Sequence, residues 1–349
     1  MINTTYTLTT ACFRTNNAHH ITKTLESTID ATNILMAIPV YLVIYGDSET
    51  MPFLKAKREE YGHMDKTVFM EIKKTDMWSF QYIDKVKENR EKYWPTRDLR
   101  TNEENHLITC NKCDFVLQTI KNNPFNTTHF GWVDAFLGKD APKICEEYDA
   151  NVNILPNLLN QITDEKFHIQ TLNACDKKYL LPENKQEFYS KYQWIVCGTF
   201  FAGGKSICER ICLRLKDIFI QTTEMGYGHG EEMFYLEILD EFYDEIAHSY
   251  GDYGQIWNNM VLPMKNVHYI YWLILRSYMN LDYYKEACDC GDALLKAFLK
   301  HSNNNITDDT FNAFNIPKSI FINMMQDYHY AALKCKPEIA DEIAKYLSI

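Results

Sequence analysis

An α/β domain followed by an all-helical extension is the architecture this sequence predicts, and three observations predict it. Val40-Tyr-Leu-Val-Ile-Tyr45 is a continuous apolar run that stops at Gly46-Asp47, the pattern of a strand buried on both faces. Strand-like and helix-like patterns alternate on either side of it in a βαβ order. From about Asn266 the period becomes helical and stays helical, which divides the chain into 1–265 and 266–349.

The elements follow in order. Tyr6–Phe13 alternates with β-branched residues and suits a first strand. His20–Met36 carries Ile21, Leu25, Ile29 and Met36 on a helical stripe, and after the Val40–Tyr45 strand a helix is expected over Pro52–Tyr61 and a strand over Thr67–Ile72. This start is Rossmann-like, but the segment after the first strand, Ala11-Cys-Phe-Arg-Thr-Asn-Asn17, has no GxGxxG, and no Walker motif occurs. Leu107–Lys121 places Ile108, Phe115, Val116 and Ile120 at helical spacing and is closed by Asn123-Pro124. Phe130–Phe136 is a short strand-like run that ends on one acid, Asp134. A less periodic section runs to about Lys191. Tyr192–Phe201 is another buried strand leading into Ala202-Gly-Gly204, and the next helix has Ile207, Ile211, Leu215, Ile218 and Phe219 on one face. The extension reads as helices over Val267–Met279, Tyr283–His301, Pro317–Lys334 and Pro337–Leu347. Its Asn280-Leu-Asp-Tyr-Tyr stretch is like one helical hairpin, with no repeat array around it.

Composition limits the function classes. The net charge is −11 with no long basic run, which argues against nucleic acid or an anionic membrane surface as the main partner. The 11 cysteines show no framework spacing, as expected of reduced thiols in a cytosol-like compartment. Cys110-Asn-Lys-Cys113 lacks a second pair and sits inside a helical pattern, so a structural zinc site is not expected there. No segment has a signal-peptide layout or is apolar for long enough to span a bilayer.

Two places carry chemistry. Asp134, at the carboxyl end of a strand, stands where ligands bind in α/β sheets, and a carboxylate there can hold a divalent cation against a diphosphate or cap a turn. Lys112 on the preceding helix can add positive charge. In Gly226-Tyr-Gly-His-Gly-Glu-Glu232 a glycine-punctuated loop opens a helix whose first turn holds Glu231 and Glu232. These acids either compensate the helix dipole or supply a general base. Gly203 and Gly204 either let backbone approach a ligand or make a tight strand-to-helix turn.

Taken in order, Thr9-Thr-Ala-Cys-Phe-Arg14, Val43-Ile-Tyr-Gly-Asp47, Asn111-Lys112 ahead of Asn123-Pro-Phe125, Gly131-Trp-Val-Asp134, Phe200-Phe-Ala-Gly-Gly204, Gly230-Glu-Glu232 and Tyr250-Gly-Asp-Tyr-Gly254 with Asn258-Asn259 form a series. That series resembles the HtrL/YibB-like (WlaTC/HtrL) glycosyltransferase family of bacteria and large DNA viruses. The resemblance implies a GT-A-like mixed sheet flanked by helices and a transferase that uses a nucleotide-diphospho-sugar donor and a glycan acceptor in a bacterial or viral-host cytosol. Carried over, Thr10, Ala11, Phe13 and Arg14 face the nucleotide. Asp47 lies near the base or ribose, Lys112 near the donor phosphates or sugar, and Gly203 and Gly204 along the donor. Asp134 takes the place of the metal-binding aspartate motif, with Mn²⁺ or Mg²⁺ as cofactor, although Asp134-Ala-Phe136 lacks a second acid. For an inverting course Glu231 is the expected catalytic base, ahead of Glu232, with Asp252 in reserve, whereas a retaining course would use these acids to orient the sugar. The competing expectation is a non-catalytic GT-A-like module that binds a carbohydrate or protein and uses its helical tail as the interaction surface.

Overall fold

The structure is a computed structural model, and the residues it describes are 6–15, 24–92, 102–136, 153–162, 164–191, 193–227, 230–251 and 267–348. It divides into two compact units. One comprises Met1–Ile169, Lys177–Trp194 and Gly198–Ala247, the other Gln170–Asp176, Ile195–Cys197 and His248–Ile349.

Seven strands make one mixed sheet: β1 Tyr6–Cys12, β2 Tyr41–Gly46, β3 Thr67–Glu71, β4 His129–Val133, β5 Phe167–Thr171, β6 Val196–Gly204 and β7 Ile246–Tyr250, in the order β3-β2-β1-β4-β6-β5-β7. With helices flanking the sheet and a helical carboxy-terminal region, this is the α/β mixed-sheet class expected from the sequence. β1, β2, β3 and β4 run parallel, while β6 runs antiparallel to β4. The register sets Thr9 level with Val43 on one side and Trp132 on the other, so the chain segments leaving β1, β2 and β4 emerge at the same end of the sheet. Because β6 is reversed, its beginning lies at that end too: Val133 pairs with Phe200, and Asp134 N donates to Thr199 O at 2.8 Å.

Leu8, Leu42, Ile44, Phe130 and Val133 are fully buried, as expected of central strands covered on both faces. Gly131 is needed by the sheet itself, since a Cβ there would lie 2.3 Å from Phe201 O. A guanidinium fixes the approach to β2. Arg58, on the helix Met51–Glu60, is fully buried and donates to Met36 O, Ile38 O and Val40 O at 2.9, 2.7 and 3.1 Å, and to Thr67 Oγ1 at 2.7 Å.

Several sequence expectations change in detail. The stripe over His20–Met36 becomes two short helices, Leu25–Asp30 and Asn33–Ala37, with residues 20–23 outside the described set. The single helix expected over Leu107–Lys121 is two helices, Glu103–Cys110 and Lys112–Asn122, parted at Asn111. Asn111 Oδ1 accepts from the Ser79 backbone N–H at 3.1 Å, which holds the residue at the junction. The aperiodic stretch before Lys191 contains β5, and Ile246–Tyr250 adds an edge strand.

In the second unit the helices Val267–Asn280, Tyr284–His301, Lys318–Cys335 and Pro337–Ala344 appear as expected. A further one, Asp308–Phe314, is opened by a Thr307–Thr310 capping box. These helices share a core around Phe298, Phe314, Phe321 and Tyr328. Gly291 allows the closest packing there, since a Cβ would meet the Tyr328 ring at 2.4 Å. Among the described residues no helix is long and apolar enough to cross a membrane.

Candidate functional site

The break at Asn111 makes Lys112 the first residue of a helix, where the dipole disfavours a cation. Its side chain is nonetheless only 8% exposed. Three oxygens account for that. Lys112 Nζ lies 2.6 Å from Glu231 Oε1 and 3.1 Å from Asp134 Oδ1, and it donates to Gly198 O at 3.0 Å. An ammonium has three donors and here meets three acceptors. Burial alone would lower the Lys112 pKa. The charges of Asp134, Glu231 and Glu232 outweigh it and carry the pKa well above the ordinary lysine value, so the ammonium stays charged.

Asp134 is held from a second side. Trp132, two residues earlier on β4, donates its indole N–H to the same Oδ1 at 2.6 Å, and the Lys112 ammonium stands 5.6 Å from the Trp132 ring. Phe115, one turn along the Lys112 helix, stacks on Trp132, Tyr45 and Phe13 with centroids 6.3, 4.5 and 6.0 Å apart. This aromatic ladder joins the ends of β1, β2 and β4 beneath the charged cluster.

On the β1 side, Asp47 ties two loops together. Its Oδ2 accepts from Arg14 N at 2.8 Å, and its Oδ1 accepts from Glu49 N and Thr50 N at 3.1 and 2.9 Å. Thr50 Oγ1 reaches back to Cys12 O at 2.7 Å. Lys74 donates to Arg14 O at 2.6 Å and pairs with Glu104. The loop after β1 is therefore fixed by three side chains from two other segments. Thr10 is fully buried in β1, and its Oγ1 has no hydrogen-bond partner among the described residues.

The structure thus gathers Thr10, Ala11, Phe13, Arg14, Asp47, Lys112, Asp134 and Glu231 at one end of the sheet. Glu232 is next to Gly198, where a Cβ would meet its Cγ at 3.1 Å and Glu231 Oε1 at 3.2 Å. Gly203 and Gly204 are not brought there. They pair with Phe130 and His129 at the amino-terminal end of β4, the far end from Asp134, and they lie within β6 rather than in a turn after it. Their smallness serves packing, since a Cβ on Gly203 would lie 2.6 Å from Lys166 O and one on Gly204 would strike Glu165. The glycine that belongs to the cluster is Gly198, whose one trace in the sequence is a glycine inside a strand pattern. Glu231 and Glu232 open a short 3₁₀ turn, Glu231–Phe234, ahead of the helix Tyr235–Glu241, and Glu231 shares the Lys112 ammonium with Asp134 instead of facing it across a cleft. Asp252, with Gly228 and His229, lies outside the described residues.

The donor set at Asp134 does not fit a divalent ion as it stands. Among the described residues no group of three His, Cys, Asp or Glu could hold a metal, and the Asp134 oxygen nearest the cluster already takes a lysine ammonium and an indole N–H. Mg²⁺ is usually held by one or two carboxylates with water or phosphate oxygens completing its shell, and here that place at Asp134 Oδ1 is taken by the lysine.

Comparison with known proteins gives three findings. No curated protein matches the sequence. Among solved structures, mouse xyloside xylosyltransferase 1 in its apo form is similar at 11% identity and a TM-score of 0.36, over 71% of this chain and 85% of that one. The profile described as "Bacterial protein of unknown function (HtrL_YibB)" matches residues 7–225, which include β1, β2, β4 and β6 with Lys112 and Asp134. That span is more than half of the chain, and the chain belongs to the HtrL_YibB family.

Proposed function

We propose that this protein transfers a sugar from a nucleotide-diphospho-sugar to a hydroxyl of a glycan acceptor. One observation carries the reading: Lys112, Asp134 and Glu231 meet at the carboxyl end of β4, beside the fixed loop after β1 and Asp47. Ligands of α/β sheets bind outside the carboxyl ends of the strands, and a buried and a partly buried acid clustered around one cation are the kind of group that reacts there.

In this reading Thr10, Ala11, Phe13, Arg14 and Asp47 hold the nucleotide, and the sugar lies toward Asp134 and Glu231. The acceptor oxygen bonds to the anomeric carbon while the bond from that carbon to the diphosphate oxygen breaks. The electron pair leaves with the diphosphate, and the hydroxyl proton passes to the Glu231 carboxylate. Positive charge develops on the sugar in the transition state, and the two carboxylates stand where they can stabilise it. Lys112 has its three protons committed to Asp134, Glu231 and Gly198, so its part is to hold the acids in place.

The test is a thermal-shift panel of UDP-, GDP- and CMP-sugars, with and without Mn²⁺. A donor at about 100 times its Kd stabilises the native state by about 2.7 kcal/mol. One class of nucleotide sugar should raise the midpoint, and Asp134→Asn should abolish the rise. A panel without any shift, together with a shift caused by a glycan alone, would favour the carbohydrate-binding module instead.

A further inference from the structure

We propose that Asp134 Oδ1, Glu231 Oε1 and the Gly198 carbonyl form a three-oxygen cation cradle whose resident is the chain's own Lys112 ammonium, so that the wild-type protein takes no divalent ion at Asp134. The distances carry it. Nζ stands 2.6, 3.1 and 3.0 Å from the three oxygens, within reach of a charge-assisted hydrogen bond to each. The three come from separate segments: the end of β4, the start of β6 and the turn before the helix Tyr235–Glu241. Two of them are positioned independently of the lysine. Asp134 is fixed by the Trp132 indole and by its own backbone N–H to Thr199, and Gly198 by its place in β6. Asp134 and Gly198 are therefore held in place without Lys112, and Glu231 completes the set through its pair with the ammonium.

Two negative charges face one positive charge, so the cradle with Lys112 in it is one unit negative. Without Lys112 it would be two units negative and partly buried, with three oxygens around the place the ammonium leaves. That is an arrangement a divalent ion can enter once the ammonium is gone, with water completing its shell. The inference deepens the glycosyl-transfer reading by naming the cation of its acidic pair, and it rests on that reading only for its consequence: any divalent ion that accompanies a donor is not ligated by Asp134.

The experiment compares thermal midpoints in metal-free buffer and in millimolar Mn²⁺ or Ca²⁺, without nucleotide sugar, for wild type, Lys112→Met and Lys112→Met/Glu231→Gln. Wild type should not shift. Lys112→Met should rise by about 4 °C or more, and the double variant should lose most of that rise. A wild-type rise that Asp134→Asn abolishes would overturn the proposal, as would a folded Lys112→Met that ignores both ions. Should Lys112→Met fail to fold with or without metal, wild type labelled with ¹⁵N-lysine decides. A Lys112 ammonium signal that stays sharp in excess Mn²⁺ supports the cradle's occupancy, and one broadened by stoichiometric Mn²⁺ overturns it. Because no nucleotide sugar is used, failure of the donor panel and failure of this test are separate results.

Discussion

Lys112 and Glu231 form a 2.6 Å ion pair between the first residue of one helix and the turn that opens another, with both side chains largely buried. Lys112 also reaches Asp134, so a single ammonium fixes the spacing of two carboxylates beside the loops leaving β1 and β2. The functional reading follows from that spacing.

Glu231→Gln keeps the side-chain shape and removes the proton acceptor. Transfer to the acceptor should fall by about 10²–10⁴, the usual loss for a general base, while the midpoint shift caused by the donor stays close to wild type. Equal losses of donor binding and transfer would show that Glu231 binds the donor and does not take the proton.

Lys112→Met should be among the most destabilising substitutions in the chain. It leaves the buried Glu231 carboxylate without its cation beside the partly buried Asp134, at a cost of up to about 3–5 kcal/mol for an uncompensated buried charge. Urea denaturation in metal-free buffer measures this, and adding Glu231→Gln should restore part of the loss. A Lys112→Met midpoint within error of wild type would mean that water, not the lysine, satisfies the acids.

Arg58 gives a prediction away from the site. Arg58→Met removes the donors to Met36 O, Ile38 O, Val40 O and Thr67 Oγ1 and should cost about 3 kcal/mol. Arg58→Lys should recover little, because an ammonium lacks the planar fork that spans these acceptors. Full stability in either variant, read from urea midpoints, would remove the guanidinium from the account of how β2 is placed.

The acid side of the stability profile follows from two histidines. Burial lowers the His63 pKa, against the smaller opposing pull of its hydrogen bond to Ala37 O, and it lowers that of His168 despite Asp164. The unfolded chain titrates both near about 6.5. Below that pH it takes up protons that the folded chain refuses, so this contribution is fully present above about 6.5 and is lost as the pH falls toward the lowered folded values. Urea midpoints should be lower at pH 5.5 than at pH 7.5, and the His63→Gln/His168→Gln variant should narrow the gap. An unchanged gap in that variant would assign the acid sensitivity elsewhere.

The sequence made the parallel strands legible because a strand buried on both faces leaves an uninterrupted apolar run, as Val40–Tyr45 does. Asp134 and Glu231 were legible as candidates because acids at a strand end and in a helix's first turn carry a local signal. Their meeting on Lys112 was not, since it depends on β6 running antiparallel and delivering Gly198 between them. The break at Asn111 depends on Ser79, a residue remote in sequence. β5 and β7 are five-residue strands in stretches without clear alternation, too short for periodicity to separate from loop. Gly203 and Gly204 misled because a glycine pair beside a helix start reads as a ligand loop, whereas here it makes room for Lys166 and Glu165.

The most direct test of the central claim is a crystal structure of the protein with whichever nucleotide sugar raises its midpoint. The account predicts the nucleotide against the end of β1 and the loop after it, Thr10–Arg14, and against Asp47, with the anomeric carbon beside Asp134 and on the same side as Glu231. A donor bound elsewhere, with the Lys112–Asp134–Glu231 cluster sealed beneath untouched side chains, would contradict it.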